Sequence, residues 1–208
     1  MLIIGLIGQK RVGKDTVADL FTELMNNRLL HRFALADPIK DIARIMFNFN
    51  ENQLYDTDKD NLDENWGIKP RDFFEKFGTD IMQFDIYKYL PGLETKIPQR
   101  EFWVQLLLKK IKKILISSEN QPIVIITDIR GTHELLAIKK EFTNALFIKI
   151  IRPTNKQLDD KMHLTQIEPQ TISDNLIDYN IINDKCIDSL REKVANIVSK
   201  LSFYRFCY

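Results

Sequence analysis

With 208 residues, 44% of them hydrophobic and only seven Gly and seven Pro, the sequence is that of a globular chain with a sizeable core, predicted as one domain over 1–208, and excludes disordered, collagenous and low-complexity classes. Thirty Lys and Arg against 29 Asp and Glu leave a formal charge of +1, so no global field favours nucleic acid or an anionic membrane, and any polyanion must be bound locally. Two cysteines without Cys-x-x-Cys spacing and three histidines exclude a disulfide framework or a zinc centre and point to a reducing cytoplasm, and no apolar run reaches the roughly 20 residues of a membrane span or has the basic start of a signal peptide.

Short apolar runs alternate with stretches of helical period, the pattern of a parallel α/β sheet covered by helices on both faces. The first strand is predicted over Leu2–Ile7, followed by a glycine-punctuated turn and a helix whose Val17, Ala18, Phe21, Leu24 and Met25 share one face. A second strand is expected over Arg32–Leu35. Asp37 and Pro38 read as N-cap and first helical residue of a helix through Ile39, Ile42, Ala43 and Met46. The stretch 48–69, rich in charges and Asn, reads as an irregular insertion. A helix with Phe73, Phe74, Phe77 and Ile81 comes next, then a connection marked by Pro91, Gly92 and Pro98. Beyond it lies a helix with Phe102, Trp103, Leu106, Leu107, Ile111, Ile114 and Leu115 as its core face. Strands are predicted over Ile123–Thr127, Ala145–Ile151 and Tyr179–Ile182. A helix over Thr132–Phe142 joins the first two, and a polar helix from Pro153 to about His163 opens a lid region at about 153–175.

The chemistry concentrates where the first strand meets the first helix. Gly8-Gln9-Lys10-Arg11-Val12-Gly13-Lys14-Asp15-Thr16 has the composition and context of a P-loop. Its glycines let successive N–H groups turn inward on phosphate oxygens, and the helix N-terminus adds partial positive charge. Lys14 is then the point charge that reaches the terminal phosphates. Asp15 stands where a magnesium-binding Ser or Thr is usual, and Thr16 follows it, suited to the α-phosphate or to a metal-bound water. Lys10 and Arg11 read either as further cations near the polyphosphate or as ordinary surface charges.

A second group gathers at strand ends, where ligands bind in open α/β sheets. Asp128 reads as a holder of magnesium or its waters, or as a cap of the following helix. Arg130 reads as a fork for phosphate oxygens, or as a partner of Glu134. Arg152, at the base of the lid region, reads as a charge on the transferring phosphoryl group or as a solvated strand end. Arg71 reads as an acceptor clamp or as half of a helix-start ion pair, and Asp37 as a base for a hydroxyl acceptor or, preferably, as a cap. No nucleophile–base pair is evident, which fits an acceptor that is already an anionic phosphate and needs only positioning and charge neutralisation.

These segments, with Leu35-Ala36-Asp37-Pro38-Ile39-Lys40-Asp41, Phe77-Gly78-Thr79-Asp80, Phe102-Trp103-Val104, Asp128-x-Arg130-x-x-His133-Glu134, Arg152-Pro153, His163-x-Thr165 and Asp178-Tyr179-x-Ile181-x-Asn183-Asp184, stand in the order found in the deoxynucleoside monophosphate kinase family of bacteriophages and large DNA viruses. The chain resembles that family, itself similar to phosphomevalonate kinases. The resemblance implies a three-layer P-loop kinase of nucleoside monophosphate kinase type, ATP with Mg2+ as donor, small-molecule nucleotide substrates, a homodimer in some relatives, and the host cytoplasm as location if the source is viral. It places Gly8, Lys10, Arg11, Gly13, Lys14, Asp15 and Thr16 on the donor, and Lys14, Arg130 and Arg152 at the chemistry. Asp37, Lys40, Arg71, Gly78, Asp128 and Arg130 fall on the substrate side, with Thr16 and Asp128 near the metal through water. Another phosphorylated metabolite as acceptor, or a non-catalytic nucleotide-binding scaffold, stays open. Val12 stands where relatives often carry Ser, and Gln166 where an acidic residue is frequent.

Overall fold

The computed structural model describes residues 1–26, 29–118, 122–153 and 164–205. Its elements in chain order are β1 (Leu2–Ile7), α1 (Lys14–Met25), β2 (Leu30–Phe33), α2 (Asp37–Phe47), α3 (Glu51–Tyr55), α4 (Pro70–Glu75), a π-helix (Lys76–Asp85), α5 (Ile86–Tyr89), α6 (Phe102–Ser117), β3 (Ile123–Ile129), α7 (Thr132–Glu141), β4 (Leu146–Ile151), α8 (Leu164–Thr171), β5 (Tyr179–Ile182) and α9 (Ile187–Arg205). His163, the polar helix expected to lead to it, and residues 206–208 of the aromatic tail lie outside the described residues. The chain divides into two compact units, one formed by 1–34 with 111–208 and the other by 35–110.

The first unit holds a five-stranded parallel sheet in the order β2-β3-β1-β4-β5. The connection from β1 to β2 runs one way along this sheet and those from β3 to β4 and β4 to β5 run the other. Right-handed crossovers therefore put α1 on one face and α7 and α8 on the opposite one. The alternation of side chains agrees: Ile4, Leu6, Ile125, Ile148, Ile150 and Ile181 join Val17, Phe21, Leu190, Val194 and Ile197 of α1 and α9 in one core cluster. Gly5 allows the other face to close up, since a Cβ there would lie 2.4 Å from the Ile129 side chain and 2.7 Å from that of Phe147.

β2 starts two residues earlier than expected. The run Phe33-Ala34-Leu35 looks like a strand, but pairing with β3 is set by Leu30 opposite Ile123 and Phe33 opposite Ile126, and the chain turns before Asp37. β3 runs on to Ile129, which includes Asp128 in the strand.

The second unit is helical. Residues 48–69, expected to be irregular, carry α3, started by a capping box between Asn50 and Gln53, then a 3₁₀ turn at Thr57–Asp60 and an antiparallel bridge between Asp63 and Ile68. The scattered apolar residues are what order it. Phe49, Leu54 and Ile68 pack with Ala43, Phe47, Phe73 and Phe74, and Trp66 donates its indole N–H to the Phe47 carbonyl at 2.8 Å. The core face of α6 is also rotated from the expected one: Trp103, Val104, Leu107, Leu108 and Ile111 are buried, whereas Leu106 is 42% exposed. The i, i+4, i+8 row through 103, 107 and 111 sets that face, and Leu106 falls beside it. Ile81 is likewise exposed at 41%, because the π-helical winding of Lys76–Asp85 turns it off the Phe73–Phe77 row.

Candidate active site

The loop from Gly8 to Gly13 turns through left-handed backbone at Arg11 (φ 65°) and Gly13 (φ 100°), and Gly13 occupies the N-cap position of α1. Neither glycine of the loop has room for a side chain. A Cβ on Gly8 would meet the Ile150 carbonyl oxygen at 2.6 Å, and one on Gly13 would meet the Asn183 amide at 2.5 Å. Val12, 6% exposed, packs into the core under α1 and α9. An apolar residue there anchors the loop rather than lining it, which accounts for Val in place of Ser.

Lys14 curls back over the loop, its ammonium donating to the carbonyls of Gly8 at 2.9 Å and Gln9 at 2.6 Å. Burial pushes its pKa down to about 8, the Arg130 guanidinium pushes the same way, and Asp128 and then Asp15 pull it up. Arg130 and Asp128 are thus near enough to Lys14 to act on its charge. Asp15 lies on the outer side of α1, its side chain 82% exposed and paired with Arg32 at 2.5 Å; Arg32 also holds Asp19 at 2.6 Å. Lys10 and Arg11 are exposed, and Thr16 is half-buried in the first turn of α1.

Asp128 is 9% exposed near the carboxyl end of β3. It does not cap α7. That helix starts from Gly131, and Glu134, three residues on, accepts the N–H groups of Arg130 at 2.7 Å and Gly131 at 3.0 Å. The partner expected for the Arg130 side chain is thereby engaged with its backbone. Glu134 is 6% exposed, and burial raises its pKa to about 7 against the two N–H bonds that stabilise the anion. Arg152 follows β4 directly and is exposed.

The substrate-side candidates Asp37, Lys40, Arg71 and Gly78 all belong to the second unit. Asp37 is not the N-cap. Ala36 takes that position with helical φ and ψ, its carbonyl accepts the Lys40 N–H at 3.1 Å, and no side-chain cap bond forms. Lys40 places its ammonium over the Tyr55 ring at 4.0 Å. Arg71 is paired with Asp60, with Glu75 4.0 Å away. Gly78 is buried in the π-helix, where a Cβ would meet Ile39 at 2.7 Å, and its carbonyl accepts the Trp103 indole N–H at 2.7 Å.

One residue of this site carried little weight in the sequence. Asn183, just after β5, donates its side-chain amide to the Val12 carbonyl at 2.9 Å and its backbone N–H to the Ile151 carbonyl at 2.7 Å. Its only sequence signal was the weak Ile181-x-Asn183-Asp184 motif.

The donor set suits the groups the motifs imply. A glycine turn with an ammonium folded into it fits a polyphosphate. One carboxylate and one hydroxyl, Asp128 and Thr16, fit Mg2+, which keeps several waters and takes much of its coordination from substrate phosphates. Among the described residues no three His, Cys, Asp or Glu side chains gather into a metal cage, and no described helix is long and apolar enough to cross a membrane.

Comparison with known proteins places the chain among kinases. The chain is similar to a provisionally named deoxynucleotide monophosphate kinase of Acanthamoeba polyphaga mimivirus, 28% identical over 207 residues that cover 97% of this chain and 98% of the other. In fold it is similar to shikimate kinase from Aquifex aeolicus, with a TM-score of 0.50 at 16% identity over 96% of each chain. Dephospho-CoA kinase from Campylobacter jejuni superposes with a TM-score of 0.48 at 15% identity over 99% of this chain and 100% of that one. The sheet with its P-loop is therefore the P-loop kinase fold of nucleoside monophosphate kinase type. A family model, deoxynucleotide monophosphate kinase, matches residues 2–66 and 45–194, from β1 into α9, and by that match the chain belongs to the deoxynucleotide monophosphate kinase family of phosphotransferases.

Proposed function

We propose that the chain transfers the γ-phosphoryl group of ATP to a deoxynucleoside monophosphate, giving the diphosphate. The observation that carries this reading is the Lys14 ammonium folded inside the Gly8–Gly13 turn, with Arg130 and Asp128 acting on its charge. The choice of acceptor is supported by the family and by the viral relative.

In this reading the loop N–H groups from Gly8 to Thr16 cradle the donor phosphates, and Lys14 leaves the Gly8 and Gln9 carbonyls to neutralise charge at the transferring group. Arg130 and Arg152 supply fixed positive charge that counts most in the transition state, where negative charge spreads over the phosphoryl oxygens. Thr16 and Asp128 would hold Mg2+ through its waters, and the ion, when bound, supplies Lewis-acid neutralisation of the phosphates. Asp37, Lys40, Arg71 and Gly78 serve the acceptor, with Arg71 exchanging the Asp60 carboxylate for a phosphate of the same bidentate geometry. An acceptor phosphate is anionic near neutral pH, so no general base is required of Asp37. The reading is tested by phosphoryl transfer to a panel of nucleoside monophosphates, set out at the end of the Discussion.

A further inference from the structure

The bond from Asn183 to Val12 orients a peptide group of the phosphate loop. In a trans peptide the C=O of one residue and the N–H of the next point in opposite directions. The Val12 carbonyl is held toward Asn183 by a 2.9 Å bond, so the N–H of Gly13 in the same peptide plane points away from Asn183. Two further features lock this orientation. The Val12 side chain is fixed in the core beneath the loop, and the Asn183 amide lies so close to Gly13 that a Cβ there would be 2.5 Å from it. Gly13 itself has the left-handed backbone, φ 100°, in which a peptide flip would otherwise meet little side-chain resistance.

Asn183 is itself braced. Its backbone N–H is bonded to Ile151 at the end of β4, and the next residue, Asp184, is paired at 3.1 Å with Lys193, which also donates to the Ile182 carbonyl at 2.5 Å. A bidentate pair between Arg191 and Glu23, at 2.7 and 2.9 Å, ties α9 to α1, the helix that the loop opens. The loop after β5 is thus a rigid support for one peptide of the cradle, although it lies 171 residues away in the chain.

We propose that Asn183 is a positioning residue for donor binding: by holding the Val12 carbonyl it aims the Gly13 N–H at a phosphate oxygen of the nucleotide. The inference rests on the kinase reading above and adds to it a residue that acts through the backbone of the loop. Asn183 needs no contact with the nucleotide, and its loss should weaken recognition of phosphate and leave recognition of the acceptor alone.

The test uses the intact chain and titration calorimetry with two probes, ATP and inorganic tripolyphosphate, on wild type, Asn183→Ala and Asn183→Asp. A hydrogen bond to a charged group contributes about 1.5–3 kcal/mol, so losing its alignment predicts a rise in Kd of roughly tenfold or more for both probes. Asn183→Asp keeps the shape but sets a carboxylate against the Val12 carbonyl, and should weaken binding at least as much. Where turnover is measured, KM for ATP rises and KM for the acceptor does not. Variants that bind both probes within about twofold of wild type, with only a lowered Tm, would overturn the proposal in favour of a purely structural bond. If Asn183→Ala does not fold, the near-isosteric Asp variant decides alone. Wild type that binds neither probe would overturn the kinase reading and this inference together, whereas wild type that binds and variants that do not differ would overturn this inference only.

Discussion

Arg32 on β2 holds the carboxylate of Asp15, in the first turn of α1, at 2.5 Å, and the same guanidinium holds Asp19 at 2.6 Å. A negative side chain beside the mouth of a phosphate loop would repel the donor, and this pair draws it outward. Releasing Asp15 by Arg32→Ala should raise the Kd for ATP about two- to fivefold at low salt, the range of an exposed ion pair, and less at high salt. The double variant Asp15→Ser/Arg32→Ala should return to within error of wild type, and calorimetry at two ionic strengths checks both.

The Lys14 pKa of about 8 makes donor binding pH-dependent. Because the folded-state value lies below the ordinary 10.5, the cost of burying the ammonium is present in full below about pH 8 and disappears above 10.5; stability without ligand rises with pH across that interval. Phosphate binding favours the charged form, so nucleotide affinity should be level below pH 8, fall above it, and be accompanied there by proton uptake. Calorimetry in buffers of different ionisation enthalpy measures the uptake, and Lys14→Arg should show none.

Glu134 has the opposite sign. Its pKa is raised from 4.5 to about 7, so the protonated form is favoured in the fold and stability falls as pH rises from about 4.5 through 7. Glu134→Gln retains an acceptor for the Arg130 and Gly131 N–H groups and should flatten this dependence without loss of stability at pH 8. Glu134→Ala strands both donors and should cost about 1–3 kcal/mol in urea unfolding.

In the second unit the Trp103 indole satisfies the buried Gly78 carbonyl at 2.7 Å. Trp103→Phe keeps the ring in the cluster with Phe77 and Phe102 but leaves that carbonyl without its donor, and should destabilise the chain by about 1–3 kcal/mol in urea unfolding. A change below about 0.5 kcal/mol would mean that water replaces the indole.

The donor half of the site was legible because it is local. Gly8 to Thr16 follow one another along the chain, and Asp128 and Arg130 are marked by the buried strand that delivers them. β1 and β5 have the bounds expected from the sequence, because each is a short, mostly apolar run that ends at a polar turn. What the sequence could not display depends on partners far along the chain. The start of β2 is set by pairing with Ile123 rather than by its own apolar run. The order in 48–69 comes from Phe49, Leu54, Trp66 and Ile68 meeting aromatic residues of α2 and α4, which a count of charges hides. Asp37 reads as a cap by type, yet the N-cap falls a residue earlier, at Ala36, and Asp37 is the first helical residue. Asp178 stands in the sequence only as part of a motif; its carboxylate accepts the Phe147 N–H at 2.8 Å and starts the pairing of β5 with β4. Asn183 gains its meaning only from Val12, at the other end of the chain.

The most direct test of the central claim is phosphoryl transfer from ATP and Mg2+ to a panel of ribo- and deoxynucleoside monophosphates, with phosphomevalonate as a further acceptor, using wild type and Lys14→Ala side by side. The account predicts transfer to one or more deoxynucleoside monophosphates and a loss of about 10²-fold or more in kcat for the variant. ATP binding by wild type with no transfer to any nucleotide, or turnover that survives Lys14→Ala unchanged, would contradict it.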